Sequence, residues 1–158
     1  MLAWMAISNL AELPNWAGDL LENASVAHLG LLDDEGHPRV LPVTFALAEG
    51  RIWSAVDEKP KRVPGEELAR VRFLRRDPRA TLTVDRYSDD WEQLAWIQVL
   101  GTVEIIETDR EGVGLGLESL LVKYEPYRES QPPGPLLALA PERFLFWRAD
   151  EEEGSAAS

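Results

Sequence analysis

Alternation of apolar and polar residues with a period of two is the feature that most constrains this fold. It recurs at residues 39–47, 80–85 and 96–105. Successive side chains of a β-strand point to opposite faces, so each stretch predicts a strand with one buried face. The turn sequences Asp33-Asp34-Glu35-Gly36 and Glu49-Gly50 separate apolar runs at the short spacing that is typical of hairpins. The sequence therefore predicts a mostly antiparallel β domain.

Apolar residues recur with helical spacing in three other stretches. Residues 10–23 predict one helix, with Pro14 tolerated only in its first turn. A second helix is predicted to start at Pro64-Gly65-Glu66-Glu67 and to end before Pro78, and a third lies within residues 109–127. Residues 144–148 predict the last strand. Roughly six strands with two or three helices favour an antiparallel barrel or sandwich.

Composition limits the class of protein. The chain has 158 residues, of which 45% are hydrophobic, and this fits one domain over residues 1–150 with an acidic, flexible tail over 151–158. It contains no cysteine and two histidines without metal-ligand spacing, so we expect no metal site. The first ten residues lack the pattern of a signal peptide, and no apolar run reaches membrane-spanning length. We therefore expect a cytoplasmic protein.

Positive charge is concentrated in one segment of an acidic chain. Residues 59–79 carry eight basic and three acidic side chains, whereas the whole chain has a net charge of −12. The net negative charge of the whole chain disfavours nucleic acid as a partner. The local concentration favours a site for a small anion such as phosphate, formed by Lys59, Lys61 and Arg62. A solvated turn is the other interpretation of these three residues.

The common catalytic motifs are missing from the sequence. There is no G-x-S-x-G nucleophile elbow, and no G-x-G-x-x-G follows a predicted strand. The chain therefore uses a bound cofactor for its chemistry or is not an enzyme. Trp96 shares the polar face of its predicted strand with Gln98, which favours an aromatic wall for a flat heterocycle, although most tryptophans lie in cores or interfaces.

Five motifs occur in order along the chain. They are G-H-P-R-V-L-P-V-T-F at 36–45, S-A-V-D-E-K-P-K-R at 54–62, D-P-R-A at 77–80, V-D-R-Y at 84–87 followed by Trp91, and G-T-V at 101–103. Their order and spacing resemble the pyridoxamine 5′-phosphate oxidase-like split-barrel family. The likeness spans about residues 20 to 149. The chain looks most similar to the branch that uses the deazaflavin coenzyme F420 instead of FMN.

The resemblance implies a mainly β fold with flanking helices, namely a six-stranded antiparallel split β-barrel. It also implies a homodimer, with a cofactor in each of two grooves built from both subunits. It assigns three kinds of cofactor-binding residue: ring contacts, phosphate ligands, and a residue that the partner subunit places over the cofactor. The ring contacts are Val43 and Thr44, and Ser54 and Ala55 match positions near the ring and its ribityl chain. The phosphate ligands are Lys59, Lys61 and Arg62, and the residue from the partner subunit is Trp96.

The function implied by this resemblance is hydride transfer between coenzyme F420 and a small conjugated substrate. No proton donor or other catalytic residue is assigned, and solvent is the proton source that we expect. FMN in the same groove is the alternative cofactor, giving an oxidase or reductase. A non-catalytic carrier or sensor of a flavin or tetrapyrrole is a third interpretation, because one fold hosts several ligands.

Overall fold

The computed structural model describes residues 7–56, 68–109 and 113–150. Seven strands in this part of the chain form one antiparallel sheet. In chain order they are β1 (Ala27–Leu32), β2 (Pro38–Val43), β3 (Ala46–Ala48), β4 (Arg51–Ala55), β5 (Arg79–Arg86), β6 (Ala95–Ile106) and β7 (Leu136–Arg148). Their order across the sheet is β2-β1-β5-β6-β7-β4-β3, so β2 and β3 form its two edges.

Four α-helices within the described ranges flank the sheet. They are α1 (Asn15–Asn23), α2 (Ala69–Arg76), α3 (Gly114–Lys123) and α4 (Glu125–Glu129). The predicted first helix begins later than expected, because Pro14 forms the N-cap of α1 and a separate 3-10 turn covers Leu10–Glu12. α2 ends at Arg76, as the Asp77-Pro78 sequence predicted. The predicted start of α2 at residues 64–67 lies outside the described residues.

The two longest strands form the centre of the sheet. β6 has 12 residues and β7 has 13, and they pair along almost their whole length. The register shifts at Leu100/Gly101, opposite Pro141, which has no backbone N–H to donate. A Cβ at Gly101 would overlap the carbonyl oxygen of Ala140. The backbones of β6 and β7 therefore approach each other closely at this glycine.

Two apolar clusters cover the sheet, one on each face, because they use alternate residues of β4 and β7. The larger cluster packs α1 and α2 on the central strands and includes Leu21, Leu74 and Phe144. The smaller one packs α3 on β4 and is centred on Trp53 and Leu120. Both clusters draw on alternate strand residues, which confirms the faces that the period-two pattern predicted.

Away from α3, the side of the sheet opposite the larger cluster carries half-exposed or exposed side chains. One row across β2, β1, β5, β6 and β7 runs Pro42, His28, Thr83, Gln98 and Leu145. The next row contains Val40, which is 69% exposed, together with Gly30, Thr81, Leu100 and Arg143. We call this surface, together with Trp96 and Trp147, the outer sheet face.

The prediction of six strands is wrong, since the sheet has seven. The residues predicted as one strand at 39–47 divide into β2 and β3, with Thr44 and Phe45 between them. The described strands also do not close into a complete barrel, because no pairing joins the β2 and β3 edges. Finally, β7 begins at Leu136, eight residues before the predicted start at Phe144. The mainly antiparallel β class with flanking helices is confirmed.

Candidate functional site

The corner between β2 and β3 is held by a tyrosine from the end of α3. The backbone N–H of Phe45 donates to the hydroxyl oxygen of Tyr124 at 3.0 Å. That hydroxyl lies 2.9 Å from the carbonyl oxygens of both Phe45 and Ser25, and its single hydrogen serves one of them at a time. Phe45 thus gives its backbone groups to a side chain instead of to a strand. This exchange explains why the strand is interrupted here.

Thr44, the other residue of this corner, is held at both its backbone and its side chain. Its carbonyl oxygen accepts a hydrogen bond from the hydroxyl of Ser54 at 2.7 Å. Its own hydroxyl lies 2.6 Å from the hydroxyl oxygen of Tyr127 on α4, and either group can be the donor. Ser54 is only 5% exposed, so water does not compete strongly for the first bond. The position of Thr44 is therefore well defined.

A cavity of about 350 Å³ opens beside Thr44. Two aromatic rings and three proline rings form most of its wall, and the lining residues that matter here are Thr44, Tyr124, Pro126, Tyr127, Pro132 and Pro133. The rings of Tyr124 and Tyr127 meet edge to face, with centroids 5.5 Å apart. A mostly apolar wall with a few fixed hydroxyls is typical of a site for a small organic molecule.

A lysine supports the same corner from the other side. The Nζ atom of Lys123 is enclosed by protein and lies 3.8 Å from the centroid of the Phe45 ring. Among the described residues it has no hydrogen-bond partner. Burial lowers the pKa of Lys123 from 10.5 to about 8, although the negative charge of Glu22 opposes this shift. Burial also raises the pKa of Tyr124.

Comparison with known proteins identifies the family. A sequence model described as pyridoxamine 5′-phosphate oxidase matches residues 17–148. The chain belongs to the pyridoxamine 5′-phosphate oxidase family. The family to which the five motifs pointed is thereby confirmed, while the deazaflavin-dependent branch stays a prediction. No curated protein matches the chain.

Solved structures of low sequence identity share the fold of this oxidase-family chain. A conserved hypothetical protein from Mycobacterium tuberculosis is 18% identical, with a TM-score of 0.67 over 85% of this chain and 84% of that one. An FAD-binding protein from Mesorhizobium loti is 17% identical, with a TM-score of 0.62 over 92% and 97%. A heme-binding protein from Mycobacterium smegmatis is 19% identical, with a TM-score of 0.67, over 85% of this chain but 55% of that one.

The residues that sequence assigned to the ring of the cofactor lie in two kinds of environment. Thr44 borders the cavity, whereas the side chains of Val43, Ser54 and Ala55 are buried. These three residues could contact a ligand only through their backbone atoms, or affect it indirectly by holding Thr44 in place. Lys59, Lys61 and Arg62 lie outside the described residues. All of these assignments stay predictions.

Trp96 lies on the outer sheet face, half-buried, and pairs across the sheet with Asp85 and Trp147. Strands β1 and β5 separate its strand from the one that leads to Thr44. At about 4.8 Å per strand, this places the two residues on the order of 14 Å apart along the sheet. Within one chain Trp96 therefore does not join the Thr44 cavity. Its assignment to the groove of a partner subunit stays a prediction.

The described part of the basic segment is largely paired with acids. Arg72 and Arg75 lie 3.2 Å and 3.8 Å from carboxylate oxygens of Asp34 and Glu107. Arg79 contacts Asp77 at 2.7 Å, and its hydrogen bonds lower the pKa of Asp77 to about 2. These arginines therefore contribute little free charge to an anion site. The charge argument consequently rests on residues 59–62.

Sequence reasoning assigned no role at the site to Lys123, Tyr124 or Tyr127. The available signal was the spacing of Tyr124 and Tyr127, three residues apart and separated by a proline. Among the described residues, no group of three or more acidic or histidine side chains is placed to hold a metal ion. None of the helices in the described ranges has the length and apolarity needed to cross a membrane.

Proposed function

We propose that this chain binds a flavin-type cofactor beside Thr44 and reduces a small conjugated organic compound by hydride transfer. The observation that carries the proposal is the rigid corner at Thr44, which borders a small-molecule cavity next to the free edge of β2. Membership of the pyridoxamine 5′-phosphate oxidase family supports a flavin-type ligand. The FAD-binding relative from Mesorhizobium loti supports it further.

The residues around the corner fit such a ring. β2 is an edge strand, so the backbone N–H and C=O groups on its side away from β1 are not used by the sheet. The polar edge of a flavin or deazaflavin contains both donors and acceptors that can pair with such a row. Pro42 and Thr44 add only small side chains along this edge. A flat ring can therefore approach the backbone closely.

When bound, the cofactor supplies a hydride donor. A substrate would gain this hydride at one end of its conjugated bond and a proton from solvent at the other, which is a two-electron reduction at the expense of the reduced cofactor. The protein orients the reactants and excludes water. Thr44 and the ring walls of Tyr124 and Tyr127 provide this orientation. Lys59, Lys61 and Arg62 hold the phosphate of the cofactor.

A homodimer completes the proposed site. The outer sheet face exposes Val40, Leu100 and Leu145 among its polar side chains, and Trp96 lies near one end of it. In a monomer these apolar side chains would be in contact with water. Exposed apolar patches are typical of interaction surfaces, which supports a partner on this face. A second copy on this face would bring its Trp96 to the groove beside Thr44.

Parallel titration of the purified protein with coenzyme F420 and FMN, followed by tryptophan fluorescence, tests the choice of cofactor. Tighter binding of F420 supports the deazaflavin-dependent reductase, and tighter binding of FMN favours the FMN-dependent oxidase or reductase. Failure to bind either cofactor would overturn the proposal. The heme-binding relative from Mycobacterium smegmatis favours one further candidate, a tetrapyrrole-binding protein without turnover. Titration with haemin, followed by its Soret absorption, tests that candidate.

A further inference from the structure

A second groove, of about 600 Å³, lies between strand β3 and helix α3. We call it the β3–α3 groove, and it shares no lining residue with the Thr44 cavity. One of its walls is a stripe along α3, because Leu115, Glu118, Ser119 and Val122 recur with helical spacing. Leu115 is 52% exposed and Val122 is 72% exposed. The groove therefore presents apolar surface that the described part of the chain does not cover.

Strand β3 forms the opposite wall of the groove and is an edge of the sheet. Glu49 and Gly50 both have positive φ, 53° and 73°, so a two-residue type I′ turn joins β3 to β4. The residues that flank such a turn, Ala48 and Arg51, form a hydrogen-bonded pair. The N–H and C=O groups of Leu47 consequently point away from β4. No other strand in the described ranges takes these two groups, so an extended chain in the groove can pair with them.

Three carboxylates surround this apolar groove. Glu22 at the end of α1, Glu49 after β3 and Glu118 on α3 are exposed and line it. None of the three forms an ion pair with a described residue, whereas several other acids of the chain are paired with arginines. Lys123 is the single basic residue on the described lining, and its Nζ atom is enclosed against the Phe45 ring. The groove therefore attracts positive charge.

We propose that the β3–α3 groove docks a basic, apolar segment of a partner protein as an extended chain. The backbone of this segment pairs with Leu47, its apolar side chains pack on Leu115 and Val122, and the basic side chains between them meet Glu49 and Glu118. Leu115 and Val122 lie about 10 Å apart along α3, a distance that about three extended residues span. Strand addition of this kind takes affinity from backbone hydrogen bonds and specificity from alternate side chains.

Three capped pentapeptides test the chemistry of this partner. Lys-Val-Lys-Val-Lys combines positive charge with apolar side chains, Glu-Val-Glu-Val-Glu reverses the charge, and Lys-Ser-Lys-Ser-Lys keeps the charge without the apolar groups. Their dissociation constants for the purified protein are measured by fluorescence anisotropy at physiological ionic strength. We expect the first peptide to bind at least about tenfold more tightly than either of the others.

Equal binding of Lys-Ser-Lys-Ser-Lys would overturn the inference. It would show only the general attraction of a basic peptide to a chain with a net charge of −12. A groove that a second copy of this chain already covers would give the same result, because the valine side chains would then have no apolar surface to contact.

Substitution of Glu118 by Lys tests whether the peptide lies in the groove. Glu118→Lys reverses one charge at the rim, so we expect Lys-Val-Lys-Val-Lys to bind about threefold to tenfold more weakly. Glu92→Lys is the matched control, because it makes the same charge change at an exposed residue between β5 and β6 that does not line the groove. It should leave the affinity unchanged, and an equal loss in both variants would overturn the proposed site.

A second variant covers the case in which Glu118→Lys does not fold. Glu49→Lys reverses a charge at the opposite wall of the groove, and the same loss of peptide affinity is expected. Retained affinity in Glu49→Lys would overturn the inference.

Methylation of the peptide backbone tests the pairing with β3. A Lys-Val-Lys-Val-Lys peptide that is N-methylated at its three central residues keeps every side chain but loses the N–H donors for the C=O group of Leu47. We expect its affinity to fall by about threefold to tenfold, the effect of one lost neutral hydrogen bond. Unchanged affinity would overturn the strand addition.

Discussion

One methyl group added at Gly116 should destabilise the packing of α3 on β4. Gly116 lies on the buried face of α3, against the indole of Trp53. A Cβ built there would lie 2.6 Å from Cε2 of Trp53 and closer still to Cδ2 and Cε3. Trp53 is 1% exposed, and its Nε1 atom donates to the carbonyl oxygen of Ala48 at 3.0 Å. The indole therefore has no open space into which it can turn.

The cost of Gly116→Ala follows from this geometry. Carbon atoms pack at about 3.5–4.0 Å, so α3 or the indole must move by on the order of 1 Å. Overpacking of this kind costs about 1–3 kcal/mol, and losing the indole hydrogen bond adds about 1 kcal/mol. The higher helix propensity of alanine than of glycine offsets at most about 1 kcal/mol of this cost. We expect the free energy of unfolding to fall by about 1–3 kcal/mol.

Gly114→Ala is the matched control in the same helix. A Cβ at Gly114 meets nothing within 4 Å, so this variant should be neutral or stabilised by up to about 1 kcal/mol. Urea unfolding followed by both circular dichroism and tryptophan fluorescence measures the two variants. The reasoning is refuted if Gly116→Ala proves as stable as Gly114→Ala.

Three further perturbations test the site and its assembly. Lys123→Met should raise the free energy of unfolding at pH 7 by about 1 kcal/mol, a value reduced because the lysine is partly exposed. Folding lowers the pKa of Lys123 from 10.5 to about 8, so the stability of the wild type, but not of the variant, should rise with pH between these two values when unfolding is measured at several pH values. Lys59→Ala and Lys61→Ala should each weaken F420 binding by about 1.5–3 kcal/mol in fluorescence titrations, whereas Arg75→Ala, which removes the same charge from the same basic segment, should not. Unchanged affinity in both lysine variants would contradict the assignment of these lysines to the cofactor phosphate. Val40→Asp should convert a dimer to monomers in light scattering, and a wild-type protein that is already monomeric would exclude the proposed interface.

The local alternation of apolar and polar residues was sufficient to predict most strands of the sheet. The alternation in β5 and β6 identified both strands, and it placed Trp96 with Gln98 on the less buried face, where the structure has them. The proline after Asp77 likewise located the end of α2. In each case the decisive interaction lies within a few residues of the chain, so sequence alone contains it.

The interruption at Thr44 and Phe45 depends on contacts that are distant in sequence. Alternation continues through Phe45 without a break, but the hydroxyl of Tyr124, 79 residues away, takes its backbone N–H. No local signal marks such an exchange. The early start of β7 was missed because its first five residues are a continuous apolar run without alternation, of which the first four are buried in the sheet.

The wall that carries Thr44 depends on the last turn of a helix. Lys123 covers the ring of Phe45 while the adjacent Tyr124 holds its backbone, and both residues stand where α3 ends. Helix ends fray at a much lower free energy than central strands open. Mild heating should therefore release the corner while β6 and β7 are still paired. The proposed small-molecule site would therefore be lost well before the sheet unfolds.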